Sequence, residues 1–259
     1  MASKTDLSAL LFDVDGTLAD TEKEGHRVAF NQAFSDAGLD WNWDEDLYGK
    51  LLKVTGGKER IKFYLAQFNT QFNAPTDLDG FVKGLHLAKT DRYMQLMAEG
   101  KIPLRPGVER LLDEALTAGV RLAIVTTTTP ENVTALLKST LGRDAIKWFD
   151  VIAAGDIVPA KKPEPDIYLW AMDQMKINPN QAMAFEDSHN GLKSALDSQL
   201  KTLITINDYT AHEDFTGATW VLDQLGEPLK PFQVLGGKVS SSVNATYVDM
   251  SLLHYLHQA

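Results

Sequence analysis

The chain has 259 residues, 44% hydrophobic and 23% charged, enough apolar material for a substantial core in one large domain or two smaller ones. A formal net charge of −10 argues against a nucleic-acid or anionic-membrane surface, although a local cluster of Lys, Arg and a metal can still receive an anionic substrate. Cysteine is absent, which excludes disulfides, thiolate zinc sites and a cysteine nucleophile, and fits a reducing compartment.

The N-terminal MASKTD carries no apolar signal core and no Arg-rich transit peptide. No stretch nears the roughly 18 apolar residues of a membrane span. A soluble cytoplasmic protein is expected, or a trimmed chain in the plastid stroma. The first element is residues 7–18, LSALLFDVDGTL. A short apolar run cut off by turn residues reads as a buried parallel strand. It ends on Asp13 and Asp15, one residue apart at the rim of an apolar core. Two such carboxylates need a counter-charge, commonly a divalent cation. The plain alternative is a strand stopped by an Asp-Gly turn.

From residue 22 to 37, His26, Ala29, Phe30, Ala33, Phe34 and Ala37 recur at helical spacing, and Gly38 stops the helix. Trp41 and Trp43 flank a turn, and Leu47, Leu51 and Leu52 suggest a short helix. After the loop 54–57, a third helix carries Ile61, Tyr64, Leu65 and Phe68, and a fourth runs from about 78 to 97. Residues 20–99 therefore read as an all-helical insert, a cap placed directly after the two aspartates. The second half alternates. A helix opens at Pro106 and closes at Gly119; strands are predicted at 121–125, 151–154, 182–185 and 202–206, with helices starting near Pro130, Pro165 and Ser188. Strands alternating with helices of 10–15 residues predict a parallel α/β sheet. Residues 1–19 and 100–225 form this core. From 226 to 259 the pattern weakens; 239–244 is small and polar, and 252–256 is a short helix or strand packed on, or trailing from, the core.

Successive predicted strands end in chemically similar residues: Asp13 and Asp15, then Thr126 and Thr127, then Lys162 shortly after the third, then Glu186 and Asp187. A parallel sheet gathers such ends on one edge. Acids, hydroxyls and a lysine together suit one task, holding a magnesium ion and a phosphoryl group beside a carboxylate nucleophile. Singly, Thr126 is a turn residue, Lys162 a solvated lysine, and Glu186-Asp187 a helix N-terminal signal. The ordered set is what carries the reading.

DVDGT (13–17), Thr126, KPEPD (162–166) and EDS (186–188) resemble the four motifs of the haloacid dehalogenase superfamily. The resemblance implies a Rossmann-like core with an inserted all-helical cap. It implies Asp13 as the nucleophile that forms an aspartyl-phosphate, and Asp15 as the acid and base. Thr126 and Lys162 would hold the phosphoryl group. Mg²⁺ would be bound by Asp13, Asp187 and the backbone carbonyl of Asp15, with Glu186 in or beside its ligand set. The presence of Asp15 argues against dehalogenation.

The cap carries cations of its own. Gly56, Gly57, Lys58, Glu59 and Arg60 form a flexible loop running into a helix, and His86 and Lys89 lie three apart on the last cap helix. Each has the alternative of an ordinary surface residue. Together they suggest a substrate with phosphates at both ends. Glu22, just past the linker, is placed to take sugar hydroxyls. The segments DTEKEGHRVAFNQAF (20–34), GGKER (56–60), HLAKTDRY (86–93) and LRPGV (104–108), with the Trp41/Trp43 pair, resemble the CbbY group, phosphatases of the C1 phosphate of xylulose 1,5-bisphosphate, an inhibitory by-product of Rubisco in the Calvin cycle. That resemblance implies Glu22, 56–60, His86, Lys89 and the loop with Thr126, Thr127, Thr128 and Asn132 as substrate contacts. One departure is the three-residue spacer Lys23-Glu24-Gly25 before His26, one residue longer than is usual in bacterial members and similar to plant and cyanobacterial ones. It leaves open whether Glu22 or Glu24 faces the sugar, with Glu22 favoured. The competing readings are a hexose phosphomutase like β-phosphoglucomutase and a phospho-sugar-binding regulator without turnover. The expected partner is a small sugar bisphosphate, with no nucleic acid and no membrane, and the expected state is a monomer.

Overall fold

The computed structural model describes residues 6–100, 102–238 and 245–259; the polar stretch 239–244 lies outside the described residues. The chain builds a seven-stranded sheet. Strands β1 (Ala9–Phe12), β2 (Arg121–Val125), β3 (Phe149–Ala153), β4 (Ala182–Glu186), β5 (Lys201–Thr205), β6 (Trp220–Leu222) and β7 (Val234–Gly236) lie in the order β3-β2-β1-β4-β5-β6-β7. All neighbours are parallel except β6 and β7.

β1 is central and covered on both faces, which is why its sequence is a continuous apolar run. Leu10 and Phe12 join one buried cluster while Ala9 and Leu11 join the other. Burial of side chains such as Leu10, Leu11 and Phe12 contributes roughly 1.5–3 kcal/mol each. Phe12 is level with Ile124 of β2 and Phe185 of β4. In this register Asp13 is level with Val125 and Glu186, and Thr126 and Asp187 follow one residue further along the same edge. The chain order reverses at β1, and ligands bind in the crevice such a reversal creates.

After β1 the chain first forms four helices of the insert: α1 (Arg27–Asp36), α2 (Glu45–Leu51), α3 (Gly57–Gln67) and α4 (Leu78–Ala98). They share an aromatic core of their own, with Phe30, Phe34, Trp41, Trp43, Tyr48 and Tyr64 buried together. Edge-on and tilted rings dominate there, such as Phe34 against Trp43 at 4.8 Å. α5 (Val108–Thr117), α6 (Pro130–Thr140), α7 (Asp166–Met175), α8 (His189–Asp197) and α9 (Met250–Gln258) belong to the sheet layers. Among the described residues no helix is long and apolar enough to cross a membrane.

The two linkers joining the helical insert to the sheet run together. Ala19 bridges Leu104, and the Arg105 amide donates to Leu18 O at 2.8 Å. The buried Arg105 guanidinium donates to the carbonyls of Gly16, Thr205 (3.1 Å), Ile206 (2.5 Å) and Asp223 (2.9 Å), and lies 3.4 Å from the Asp20 carboxylate.

The tail is more ordered than its sequence pattern. β7 closes the sheet edge, and α9 buries Leu252, Leu253 and Leu256 in the main cluster. Arg110 of α5 fixes it, donating to Gly226 O, Val248 O and Glu227 Oε2 at 2.8–3.0 Å. Residues 252–256 are therefore helical. The segment 22–26, expected to open an α-helix, is instead a π-helical turn, Glu22–His26, leading into α1. β3 begins two residues earlier than the apolar pattern suggested, and β5 is displaced by one.

Candidate active site

Three carboxylates meet where β1 and β4 end. Single oxygens of Asp13, Glu186 and Asp187 all lie within 4.8 Å of one another, and all three residues are buried. Lys162 answers them from the loop before α7. Its Nζ donates to Asp13 Oδ1 (2.7 Å), Glu186 Oε1 (2.6 Å) and Val125 O (2.8 Å). Burial disfavours the lysine charge, but Asp13 and Glu186 more than offset it and hold its pKa above the ordinary value. Burial, with Glu186 and Asp15 adding to it and Lys162 opposing, pushes Asp13 up to about 8. Burial and the charges of Asp13 and Glu186 raise Asp187 well above the usual carboxylate range. Three carboxylates against one ammonium leave the cluster short of two positive charges. A hard dication with oxygen ligands fits this donor set, as magnesium does. Gly16, with φ of 86°, lies so close that a Cβ would overlap Asp187 Oδ2. Asn207 Nδ2 holds that same oxygen at 2.7 Å.

Asp15 is turned to another set of partners. Its Oδ1 accepts from Thr21 Oγ1 (2.5 Å) and from His26 Nε2 (2.8 Å). His26 Nδ1 in turn faces Lys89 Nζ at 2.7 Å. The ammonium donates to Nδ1, so the ring proton sits on Nε2 and points at Asp15. Burial favours the neutral acid, but His26 and Thr21 outweigh it and hold Asp15 down at about 2. Its carboxylate is thus placed by the helical insert and stands apart from the metal-capable group of Asp13, Glu186 and Asp187.

Beyond Asp15 the cleft narrows into a small cavity of about 40 Å³, lined by Glu22, Gly56, Gly57, Arg60, His86, Lys89, Thr127, Thr128 and Asn132, among others. Arg60 is 7% exposed, donates to Tyr48 Oη at 2.8 Å and lies 3.7 Å from Glu22. Tyr48 donates to Glu22 Oε2 at 2.5 Å. Burial lowers Lys89 to about 8. Burial and the neighbouring lysines lower His86 to about 3, so its ring is neutral and offers an N–H rather than a charge. Arg60 Nε and Asn132 Oδ1 are buried without a partner in this structure. Both residues line the cavity, where Arg60 offers donors to an anion and Asn132 Oδ1 can only accept, as from a hydroxyl.

The structure brings together the predicted residues Asp13, Asp15, Glu22, Arg60, Thr126, Thr127, Lys162, Glu186 and Asp187 along one cleft, with Gly56, Gly57, His86, Lys89, Thr128 and Asn132 at its far end. Glu22 lines the cleft while Glu24 is exposed outside it. The π-helical turn explains this. With its wider winding, Glu22 and His26, four residues apart, both reach the cavity. Lys58 and Glu59 do not line the cavity. Lys58 pairs with Asp156, and Glu59 with Lys161, which also meets Asp156 at 3.0 Å. These four charges tie α3 to the sheet layer beside the opening, so the structure does not bring Lys58 and Glu59, expected as substrate contacts, into the cavity with the others. Sequence reasoning missed His26 as a polar group, because its spacing matched an apolar face. Tyr48 and Asn207 gave no signal at all; Arg105 sits in the quoted LRPGV segment, and its type and place before a helix were the available clue.

The family description of haloacid dehalogenase-like hydrolases matches residues 7–198. The chain is 49% identical over 221 residues to Protein CbbY of Cereibacter sphaeroides, covering 85% of this chain and 94% of that one. It is 43% identical over 224 residues to a CBBY-like protein of Arabidopsis thaliana, covering 85% and 70%. Among solved structures it is similar to CbbY from Rhodobacter sphaeroides in complex with phosphate, at 49% identity and a TM-score of 0.79 over 84% of this chain and 94% of that one. A variant of that protein in complex with xylulose-(1,5)bisphosphate matches at 48% identity, with the same TM-score and coverage. The chain belongs to the haloacid dehalogenase-like hydrolase family, within its CbbY group, and is a phosphatase.

Proposed function

We propose that this phosphatase is a Mg²⁺-dependent sugar-bisphosphate phosphatase that removes the C1 phosphate of xylulose 1,5-bisphosphate through an aspartyl-phosphate on Asp13. One observation carries the reading. The cleft carries donor groups at two places, Lys162 and Thr126 beside Asp13, and Arg60, Lys89 and the neutral His86 across it. A substrate with phosphates at both ends would use both sets, and a monophosphate only the first. The similarity to a CbbY structure in complex with xylulose-(1,5)bisphosphate supports the choice of sugar.

Magnesium held by Asp13, Asp187 and the Asp15 carbonyl would neutralise charge on the transferring phosphoryl group. The chain supplies the rest. Asp13 attacks phosphorus as the bond to the sugar O1 breaks. Lys162 and Thr126 hold the phosphoryl oxygens in line. Asp15, ionised while it is bonded to Thr21 and His26, takes up a proton from solvent as it swings toward Asp13 and gives that proton to O1. It then takes a proton from water, which attacks the acyl-phosphate and frees orthophosphate and Asp13. Asp15 returns this proton to solvent as it swings back to Thr21 and His26, so one water is consumed and the proton taken up is released. Glu22 receives sugar hydroxyls, and the far cations hold the C5 phosphate.

A phosphate-release panel of sugar bisphosphates tests the proposal. Xylulose 1,5-bisphosphate should be turned over fastest, giving one orthophosphate and one xylulose 5-phosphate per molecule. Isomerisation of glucose 1-phosphate without phosphate release would replace this reading with a mutase, and preference for another bisphosphate would change the sugar.

A further inference from the structure

Lys162 is held by more than the acids it faces. Tyr168, on α7, is fully buried, and its hydroxyl donates to Glu186 Oε1 at 2.6 Å. Lys162 Nζ donates to that same oxygen, also at 2.6 Å. The ammonium stands 5.2 Å over the centre of the Tyr168 ring. The Glu186 carboxylate fills the space beside Gly191 that a Cβ would take, so the glycine leaves room for it and the hydrogen bonds from Tyr168 and Lys162 set its orientation. The ring alone packs in the core beside Ile167, Ala171 and Met172, and phenylalanine would serve as well there. A buried hydroxyl on an apolar helix face is costly unless it has an acceptor, and here the acceptor is one of the three oxygens that hold the lysine, shared between the two donors.

We propose that Tyr168 is a positioning residue for phosphoryl transfer: its hydroxyl fixes Glu186, Glu186 fixes Lys162, and Lys162 is thereby held on Asp13. The proposal rests on Asp13 and Lys162 acting as described above, but not on the identity of the sugar. Tyr168 touches neither Asp13 nor the phosphoryl site. Without the hydroxyl, the lysine shares a looser carboxylate, and the loss falls on the transition state more than on ground-state binding.

The test is Tyr168→Phe in the full chain, which keeps the ring under the ammonium. Magnesium-dependent hydrolysis of p-nitrophenyl phosphate is measured, so failure of the xylulose assignment leaves this test standing. The expected result is a fall in kcat of about tenfold, with KM changed less than twofold. Orthovanadate inhibition should weaken by a similar factor and phosphate inhibition by less than twofold. In the metal-free protein, the Lys162 Nζ nitrogen resonance should shift or broaden. A kcat within twofold of wild type, an unmoved Lys162 resonance, or a parallel loss of phosphate and vanadate affinity would each overturn the proposal.

Discussion

Replacing Arg60 with alanine separates the two ends of the cleft. Arg60 is buried, hydrogen-bonded to Tyr48 and close to Glu22, and its Nε has no protein partner. In the substitution the far phosphate loses a desolvated guanidinium and faces Glu22 with less opposing charge. Truncating one partner of a buried, hydrogen-bonded charge pair costs roughly 2–5 kcal/mol. Taking about 3 kcal/mol, at about 1.4 kcal/mol per decade, kcat/KM for xylulose 1,5-bisphosphate should fall about a hundredfold, chiefly through KM. p-Nitrophenyl phosphate has no second phosphate, and its kcat/KM should fall no more than about threefold, the scale of a minor repacking effect. Phosphate release is followed for both substrates on one preparation, with a thermal scan to confirm folding. Equal losses on the two substrates would refute the two-ended reading and make Arg60 a support for Tyr48 and Glu22 alone.

Asp13→Asn should abolish phosphate release while the protein stays folded, because an amide cannot form the acyl-phosphate; turnover near that of wild type would move the nucleophile elsewhere. Chelation with EDTA should abolish turnover, and Mg²⁺ should restore it and raise the thermal midpoint. Because Asp13 and Asp187 sit above their ordinary values, the metal-free folded state holds protons that the unfolded chain has released. Its stability should therefore fall as pH rises from about 4 to about 8, and the magnesium gain should grow over the same window. A pH-independent magnesium shift in differential scanning fluorimetry would contradict the assigned ligands. Asp156→Ala removes the partner of Lys58 and one partner of Lys161. Since partly exposed pairs are worth at most about 1 kcal/mol, KM should rise no more than about fivefold, and the salt dependence of KM should flatten.

The sheet and its catalytic edge were legible because their signals are local. β1, β2, β4 and β5 are short buried runs, and each ends where the polarity changes. Their order in space follows from parallel topology, so Asp13, Thr126 and Asp187 could be placed together without coordinates. The far end of the cleft was half legible. Arg60 and Lys89 turn inward, while Lys58 and Glu59 turn outward to Asp156 and Lys161, partners about a hundred residues away that no local pattern announces. His26 was hidden for a similar reason: a stacked contact with Tyr93 at 4.3 Å gives it the burial of an apolar residue. β6 and β7 are only three residues each, too short for an alternation to register, and α9 is defined by its packing on the core rather than by a separate motif.

The linkers pinned by Arg105 have a consequence for the architecture as a whole. The chain departs for the helical insert at Ala19 and returns at Leu104, and those two residues are already bridged. Loop-closure entropy, which normally penalises a long excursion, is met by the sheet side alone, since the ends stay together whatever the excursion does. The excursion is in this sense a cartridge seated in a fixed socket. The carbonyls of Gly16, Ile206 and Asp223 on Arg105 hold the socket closed from the sheet side, while Ala29, Tyr93 and Met97 of the cartridge pack into the main cluster and seat it there.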